Sequence, residues 1–178
     1  SVFLGAREAD LLHAGQRAVD LGAAPGGWTW VLASRGLQVV AVDNGPLKGE
    51  VAHDPRVRHL RADGLAWRPP RPVDWLVCDI VERAARIAEL VAGWIADGDA
   101  QAAIFNLKLP IKQRYYEVRR CEAVIEQRLH GAGARATLEL RHLYHDREEV
   151  TGCILPLPHA ALSARTDRTR AARRARPV

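Results

Sequence analysis

Asp20-Leu21-Gly22-Ala23-Ala24-Pro25-Gly26-Gly27-Trp28 is the stretch on which the fold turns. It is entered from a short apolar run, 17–21, and left into a helix-forming stretch, 26–35. A strand that passes through glycines straight into a helix brings free backbone N–H groups to one spot and lets a ligand approach the main chain closely. The run is not the Gly-x-Gly-x-x-Gly of dinucleotide enzymes, because Ala24 and Pro25 stand where that pattern needs flexibility before its third glycine. Hydride transfer is disfavoured, and a different nucleotide-type ligand is expected.

Outward from this turn, short apolar runs alternate with stretches of helical character, the pattern of a parallel α/β sheet. Strands are expected at 17–21, 38–42, 57–61, 74–78 and 102–107, and helices at 26–35, 82–96 and 110–130. The second helix carries Ile87, Leu90, Val91, Trp94 and Ile95 at helical spacing. The prolines at 69, 70 and 72 mark a loop. Two last strands, near 135–143 and 150–155, are joined by a short polar connection, which makes that pair antiparallel. Trp75 and Trp94 sit in apolar patterns and read as core rather than as base-stacking surfaces, unlike the tryptophans at 28, 30 and 67.

At 178 residues, 48% of them hydrophobic and 26% charged, the chain has the composition of one ordinary globular domain. No apolar run approaches the roughly 20 residues of a membrane span. Three cysteines, Cys78, Cys121 and Cys153, lie far apart and never in Cys-x-x-Cys spacing, so a disulfide framework and a thiolate metal site are both disfavoured and a cytoplasmic setting is expected. No His-Glu-x-x-His occurs, and no metal is expected. The net charge of +5 arises wholly from 164–178, where six arginines face one aspartate. That tail reads as a basic arm for nucleic-acid phosphates or as a solvated terminus. Two further basic clusters, Arg56 to Arg71 and Lys108 to Arg120, are candidates for flanking the site.

Position alone singles out several residues. Asp43, ending the second strand, is placed to accept hydrogen bonds from the two ribose hydroxyls of an adenosine-containing ligand. Asp63, after the third strand, is a candidate for the adenine amino group. Lys108 ends the fifth strand in Asn106-Leu107-Lys108-Leu109-Pro110, at the sheet edge where open α/β folds place their chemistry. Only three lysines stand beside 23 arginines, and arginine cannot act as a base.

The run 20–28, together with VDNGP (42–46), WLVCDIVE (75–82), IFNLKLPIKQRYYEV (104–118) and LYHDREEVT (143–151), resembles the FtsJ-like S-adenosylmethionine-dependent ribose 2′-O-methyltransferases, and among them the RlmM family acting on bacterial large-subunit ribosomal RNA. The resemblance implies a Rossmann-like class I methyltransferase fold, a mostly parallel seven-stranded sheet with an antiparallel final strand and helices on both faces. It implies S-adenosyl-L-methionine as cofactor, held by Gly22, Ala24, Pro25, Gly26, Gly27, Asp43, Asp63 and Asp79. It implies ribosomal RNA as partner, a cytidine ribose as the acceptor, and Lys108, Asp79 and Glu149 as the catalytic group. Lys108 is the expected base, with a pKa lowered by burial and neighbours. Glu149 fills the glutamate slot of the family's Lys-Asp-Lys-Glu set, with Glu148 its rival.

The first lysine of that set, in a Ser-Arg-x-x-x-Lys-Leu-like segment, has no counterpart here, since the earliest lysine is Lys48. The expectation is a catalytic domain over 1–158, lacking an N-terminal RNA-binding region, followed by the basic tail 159–178. Two other readings are carried forward: methylation of a small-molecule hydroxyl, which needs a closed pocket beside Lys108, and an RNA-binding module without activity.

Overall fold

The computed structural model of the chain describes residues 3–143 and 148–157. Four α-helices, α1 (Glu8–Leu11), α2 (Gly27–Ser34), α3 (Ala84–Ala96) and α4 (Arg114–Gly131), accompany seven strands. The strands are β1 (Arg17–Leu21), β2 (Gln38–Val42), β3 (Val57–Leu60), β4 (Val73–Cys78), β5 (Ala100–Lys108), β6 (Ala136–Arg141) and β7 (Glu149–Pro156). They form one sheet in the order β3-β2-β1-β4-β5-β7-β6. Strands β1 to β5 pair in parallel, and β7 lies antiparallel to both β5 and β6. This is the mostly parallel seven-stranded sheet that the resemblance implied, with the final strand, β7, carrying both antiparallel pairings. The order reverses between β1 and β4, and such a switch point opens a crevice at the C-terminal ends of the strands.

Alternation along each strand fills two cores. Val19, Leu21, Leu76, Cys78, Phe105 and Leu107 face α3 and α4. Ala18, Val39, Trp75, Val77 and Ala102 face the other way, against Leu32 and Ala33 of α2. Every apolar position predicted for α3 is buried, including Trp94 with no exposure. Trp67 is half-buried with its ring 6.1 Å from that of Trp94, while Trp30 stays exposed.

Three departures from the sequence reading have physical causes. The fourth helix starts at Arg114 rather than at Pro110, because Gln113 adopts a left-handed conformation at φ 61° and the Leu109 N–H is taken by the Glu148 carbonyl at 2.7 Å. A short 3-10 turn at Gly5–Arg7 and α1 order the chain's start, where no element was expected, by burying Phe3, Leu4 and Leu12 against the α2-facing side of the sheet. Of the arginines between 56 and 71, Arg56, Arg58 and Arg71 line a cleft with Arg17, Gln38 and Val73, the first residues of β1, β2 and β4. That is the edge opposite the crevice, so these three do not flank the site. Asp146 and Arg147 of the β6–β7 connection and the arginine-rich tail lie outside the described residues, as does the domain boundary at 158.

Candidate active site

The turn after β1 is shaped by its glycines and by one carboxylate. Gly22 sits at φ +77°, and a Cβ there would stand 2.9 Å from the Ile80 backbone nitrogen, so only glycine lets the β1 and β4 ends approach this closely. Gly26 precedes α2 at φ +118°, with Val51 packed where its side chain would be. Asp43 ties the loop to β2: Oδ2 accepts the Ala24 N–H at 3.0 Å and Oδ1 the Gly45 N–H at 2.7 Å. The Ala24–Pro25 peptide is cis. Each carboxylate oxygen has two lone pairs, so Asp43 retains capacity for two hydroxyl donors. Asp63 accepts the Leu65 N–H within its own turn at 2.9 Å, and neighbouring Gly64 packs against Leu21 and Ile80 at the same edge. Gly27 opens α2 with no atom within 4 Å of where a Cβ would lie.

Lys108 closes the site on its other side. Its Nζ donates to Asp79 Oδ1 at 2.8 Å and to Glu149 Oε1. Strand register brings Glu149 there, since Lys108 is directly opposite Glu149 and Asn106 opposite Thr151 in the β5–β7 ladder. Asn106 Nδ2 donates to the same Asp79 oxygen at 3.1 Å, and the Thr151 hydroxyl donates to Asn106 Oδ1 at 2.8 Å. Thus Lys108, Asp79 and Glu149, expected to act together, are in contact. Glu148, the rival, is two-thirds exposed and reaches Arg114 at 3.4 Å instead.

The protonation of Lys108 differs from expectation. Burial by itself pulls its pKa down, but the hydrogen bonds and charges of Asp79 and Glu149 outweigh burial and hold the amine above the ordinary lysine value. The resting side chain is an ammonium.

Asp20, inside the motif but not singled out by sequence reasoning, is fully buried beneath the loop. Its Oδ2 accepts the Thr29 hydroxyl at 2.6 Å, while Oδ1 is buried without a partner. Burial pushes its pKa up to about 7; the Thr29 hydrogen bond opposes this, and the Asp79 and Asp43 charges add to it. The position in β1 gave one signal, a carboxylate set between Val19 and Leu21 in the apolar part of the strand. Asn106 and Thr151 were also missed; Asn106, two residues before Lys108, had to share its face of the strand.

Two spaces adjoin Lys108 and Glu149. An open cleft of about 730 Å³ runs from Lys108 and Pro110 between α3 and α4, past Arg83, Arg86, Glu117 and Arg120. An apolar cavity of about 360 Å³ lies on the α2 side, lined by Trp28, Trp75 and Ile104 and reaching Asn106, Glu149 and Thr151, but not Lys108. Burial pushes the thiols of Cys78 and Cys153 up to about 12 and that of Cys121 to about 11, so none serves as a nucleophile. Among the described residues no group of three His, Cys, Asp or Glu side chains could hold a metal, and no helix is long and apolar enough to cross a membrane.

The donors and acceptors fit an adenosylated cofactor: open space over Gly27, carboxylates at the ends of β2, β3 and β4, and a buried carboxylate oxygen, Asp20 Oδ1, without a partner.

Comparison with known proteins agrees. The chain is 58% identical over 151 residues to the ribosomal RNA large subunit methyltransferase M of Laribacter hongkongensis, covering 84% of this chain and 43% of that protein. It is 61% identical over 141 residues to the protein of the same name from Aromatoleum aromaticum, covering 79% and 38% respectively. The chain thus spans about two fifths of the length of these relatives. In fold it is similar to the Methanococcus jannaschii fibrillarin pre-rRNA processing protein, with a TM-score of 0.60 at 12% identity over 82% of this chain and 68% of that one. The FtsJ-like methyltransferase family model matches residues 4–126, which takes in every strand from β1 to β5 and so all of the crevice except the contribution of β7; the chain belongs to the FtsJ-like methyltransferase family.

Proposed function

We propose that this chain catalyses S-adenosylmethionine-dependent 2′-O-methylation of a ribose, that of a cytidine, in large-subunit ribosomal RNA in the cytoplasm, with residues 1–158 as the catalytic unit and the tail adding phosphate contacts. The observation that carries this reading is the Lys108 amine held between Asp79 and Glu149 at the mouth of the crevice. Names shared by the relatives, which specify large-subunit ribosomal RNA, support the substrate. Beside Lys108 the surface is an open cleft rather than a closed pocket, with Arg83, Arg86 and Arg120 interleaved with Glu82, Glu89 and Glu117, and that openness favours RNA over a small-molecule hydroxyl.

The turn from Gly22 to Gly27 would hold the cofactor's methionine portion with Asp79, Asp43 would hold its ribose and Asp63 its adenine. The cofactor, when bound, supplies an electrophilic methyl group. Lys108 and Glu149 hold the acceptor hydroxyl and fix its direction of attack, and positioning of this kind provides much of the rate. Nζ of a neutral Lys108 would accept the hydroxyl proton as the methyl group leaves the sulfonium sulfur, released as a neutral thioether, for the ribose oxygen, and Asp79 and Glu149 would stabilise the resulting ammonium. Asp79 and Glu149 hold the Lys108 amine above the ordinary lysine value, so the neutral form is the minor one near neutral pH. The lysine therefore works from a minor protonation state.

Two measurements test the reading together. Calorimetric titration of S-adenosylmethionine is expected to show saturable binding that Asp43→Ala weakens by tenfold or more, on the order of two charge-assisted hydrogen bonds. Labelled methyl transfer to large-subunit ribosomal RNA is expected to fall about 10²–10⁴-fold in Lys108→Ala while cofactor affinity stays within twofold. Undiminished transfer in Lys108→Ala would falsify the assignment.

A further inference from the structure

Large apolar side chains are left open to solvent at one place in particular. Val81, Ile111, Tyr115 and Tyr116 are 87%, 82%, 71% and 72% exposed, four of the six large hydrophobic residues so exposed among those described. Val81 stands on the β4–α3 connection, three residues from Cys78; Ile111 and the tyrosines follow β5 directly, within eight residues of Lys108. Single exposed apolar residues are ordinary on a soluble protein, but a cluster at one rim marks a contact surface. The two tyrosine rings lie 5.9 Å apart in an edge-to-face arrangement. Gln113, the only non-glycine residue with positive φ among those described, makes the turn that starts α4 there.

The same rim carries loosely held cations. Arg83 forms an isolated parallel bridge with Lys108, so the backbone places it beside the candidate base. Its side chain is 85% exposed and no nearer than 3.7 Å to Glu82. Lys112 is exposed and in no ion pair among the described residues. Aromatic faces alternating with cations that track a backbone are what an unpaired nucleic-acid strand needs: every base has a face to stack, and each phosphate needs a counter-charge. In a duplex the bases stack on one another and the rings have nothing to grip.

We propose that Val81, Arg83, Ile111, Lys112, Tyr115 and Tyr116 form a docking platform for the unpaired RNA nucleotides flanking the target ribose. Their bases stack on Tyr115 and Tyr116 over the apolar floor of Val81 and Ile111, and Arg83 and Lys112 hold their phosphates. The inference rests on the ribose-methylation reading of the Lys108 site and adds the conformation of the substrate: a strand without a partner, its target ribose lowered to Nζ.

The test is fluorescence anisotropy with a labelled, unstructured 12-nucleotide RNA and the same RNA annealed to its complement, using the native chain, Tyr115→Ala/Tyr116→Ala, Tyr115→Phe/Tyr116→Phe and Arg83→Gln. All the substituted positions are mostly exposed, and cofactor calorimetry with each variant reports an intact fold. The alanine pair is expected to bind the single strand about tenfold or more weakly, since base stacking on each ring is worth that much or more, and the phenylalanine pair to stay within about twofold of native. Arg83→Gln is expected to reduce the slope of log affinity against log salt by about 0.7, one phosphate contact on a single strand. Absence of single-strand binding by the native chain, equal affinity in the alanine pair, or tighter binding of the duplex each overturns the platform. Lys108→Ala separates this from the catalytic assignment: tyrosine-dependent RNA binding with undiminished transfer in Lys108→Ala leaves the platform standing and removes the lysine from the chemistry.

Discussion

Asp20 and Asp79 belong to neighbouring strands, with Asp20 of β1 in register with Val77 of β4 and the Asp79 N–H bonded to the carbonyl of Leu21. Asp79 is one-third exposed and serves two donors, Lys108 and Asn106. Asp20 is sealed beneath the turn from Gly22 to Gly27, with Thr29 as its donor residue and one oxygen that has no partner. The same side chain therefore meets two environments within one crevice. Where a cation and an amide reach the carboxylate at the surface, it orients a lysine and an asparagine. Where burial outruns hydrogen bonding, it retains its proton to about pH 7.

Breaking the outer carboxylate has the largest expected effect. Asp79→Ala strips Lys108 and Asn106 of a shared acceptor, and methyl transfer is expected to fall a hundredfold or more, the scale of a misplaced catalytic group. Next in size is the pH response of the native enzyme. Because Asp79 and Glu149 hold Lys108 above the ordinary lysine value, its neutral fraction keeps growing through the mildly alkaline range, so the single-turnover rate should rise steadily between pH 7 and 9. A flat profile would make Lys108 a fixed positive charge rather than a base.

Asp20 responds in stability. Its folded pKa of about 7 lies above the unfolded value of 3.8, so the unfolded chain ionises first as pH rises. The native state loses about 1.4 kcal/mol per pH unit across that window, with the full contribution present below 3.8 and gone above 7. Asp20→Asn keeps the hydrogen bond from Thr29 and removes the titration. Urea unfolding at pH 5 and pH 8 should therefore show the variant gaining about 3 kcal/mol relative to native between the two. The smallest effects distinguish the two threonines. Thr29→Val removes the hydroxyl donor to a buried carboxylate, leaving it the backbone N–H of the same residue, and is expected to cost about 2 kcal/mol, whereas Thr151→Val, which removes the donor to one oxygen of Asn106, costs about 1 kcal/mol by thermal unfolding.

The sheet was legible in the sequence because β1, β2, β4 and β5 are short, largely apolar runs that end in a polar residue or turn and are buried on both faces, whereas β3, Val-Arg-His-Leu at the sheet edge, is only partly buried. Asp43, Asp79 and Lys108 were legible for the same reason, each standing where an apolar run stops. Glu149 was not fixed by pattern: Asp146-Arg147-Glu148-Glu149 reads as a solvated connection, and only the register against β5 selects Glu149 over Glu148. The first turn of α4 was misplaced because helix propensity carries no record of the Leu109 N–H being used elsewhere. The raised pKa of Lys108 depends on two partners that approach from β4 and β7, 29 and 41 residues away in the chain.

The insertion of β7 between β5 and β6 has a consequence for biogenesis. A nascent chain that has emerged through β5 already has the glycine turn, Asp43, Asp79 and Lys108, and so a parallel platform with its lysine held by one carboxylate. The second carboxylate arrives only when the last strand, Glu149–Pro156, threads into the gap beside β5 and sets its register. Completion of the Lys108 cluster thus waits for β7, and a chain stopped short of residue 149 has Lys108 and Asp79 without the partner that Glu149 supplies.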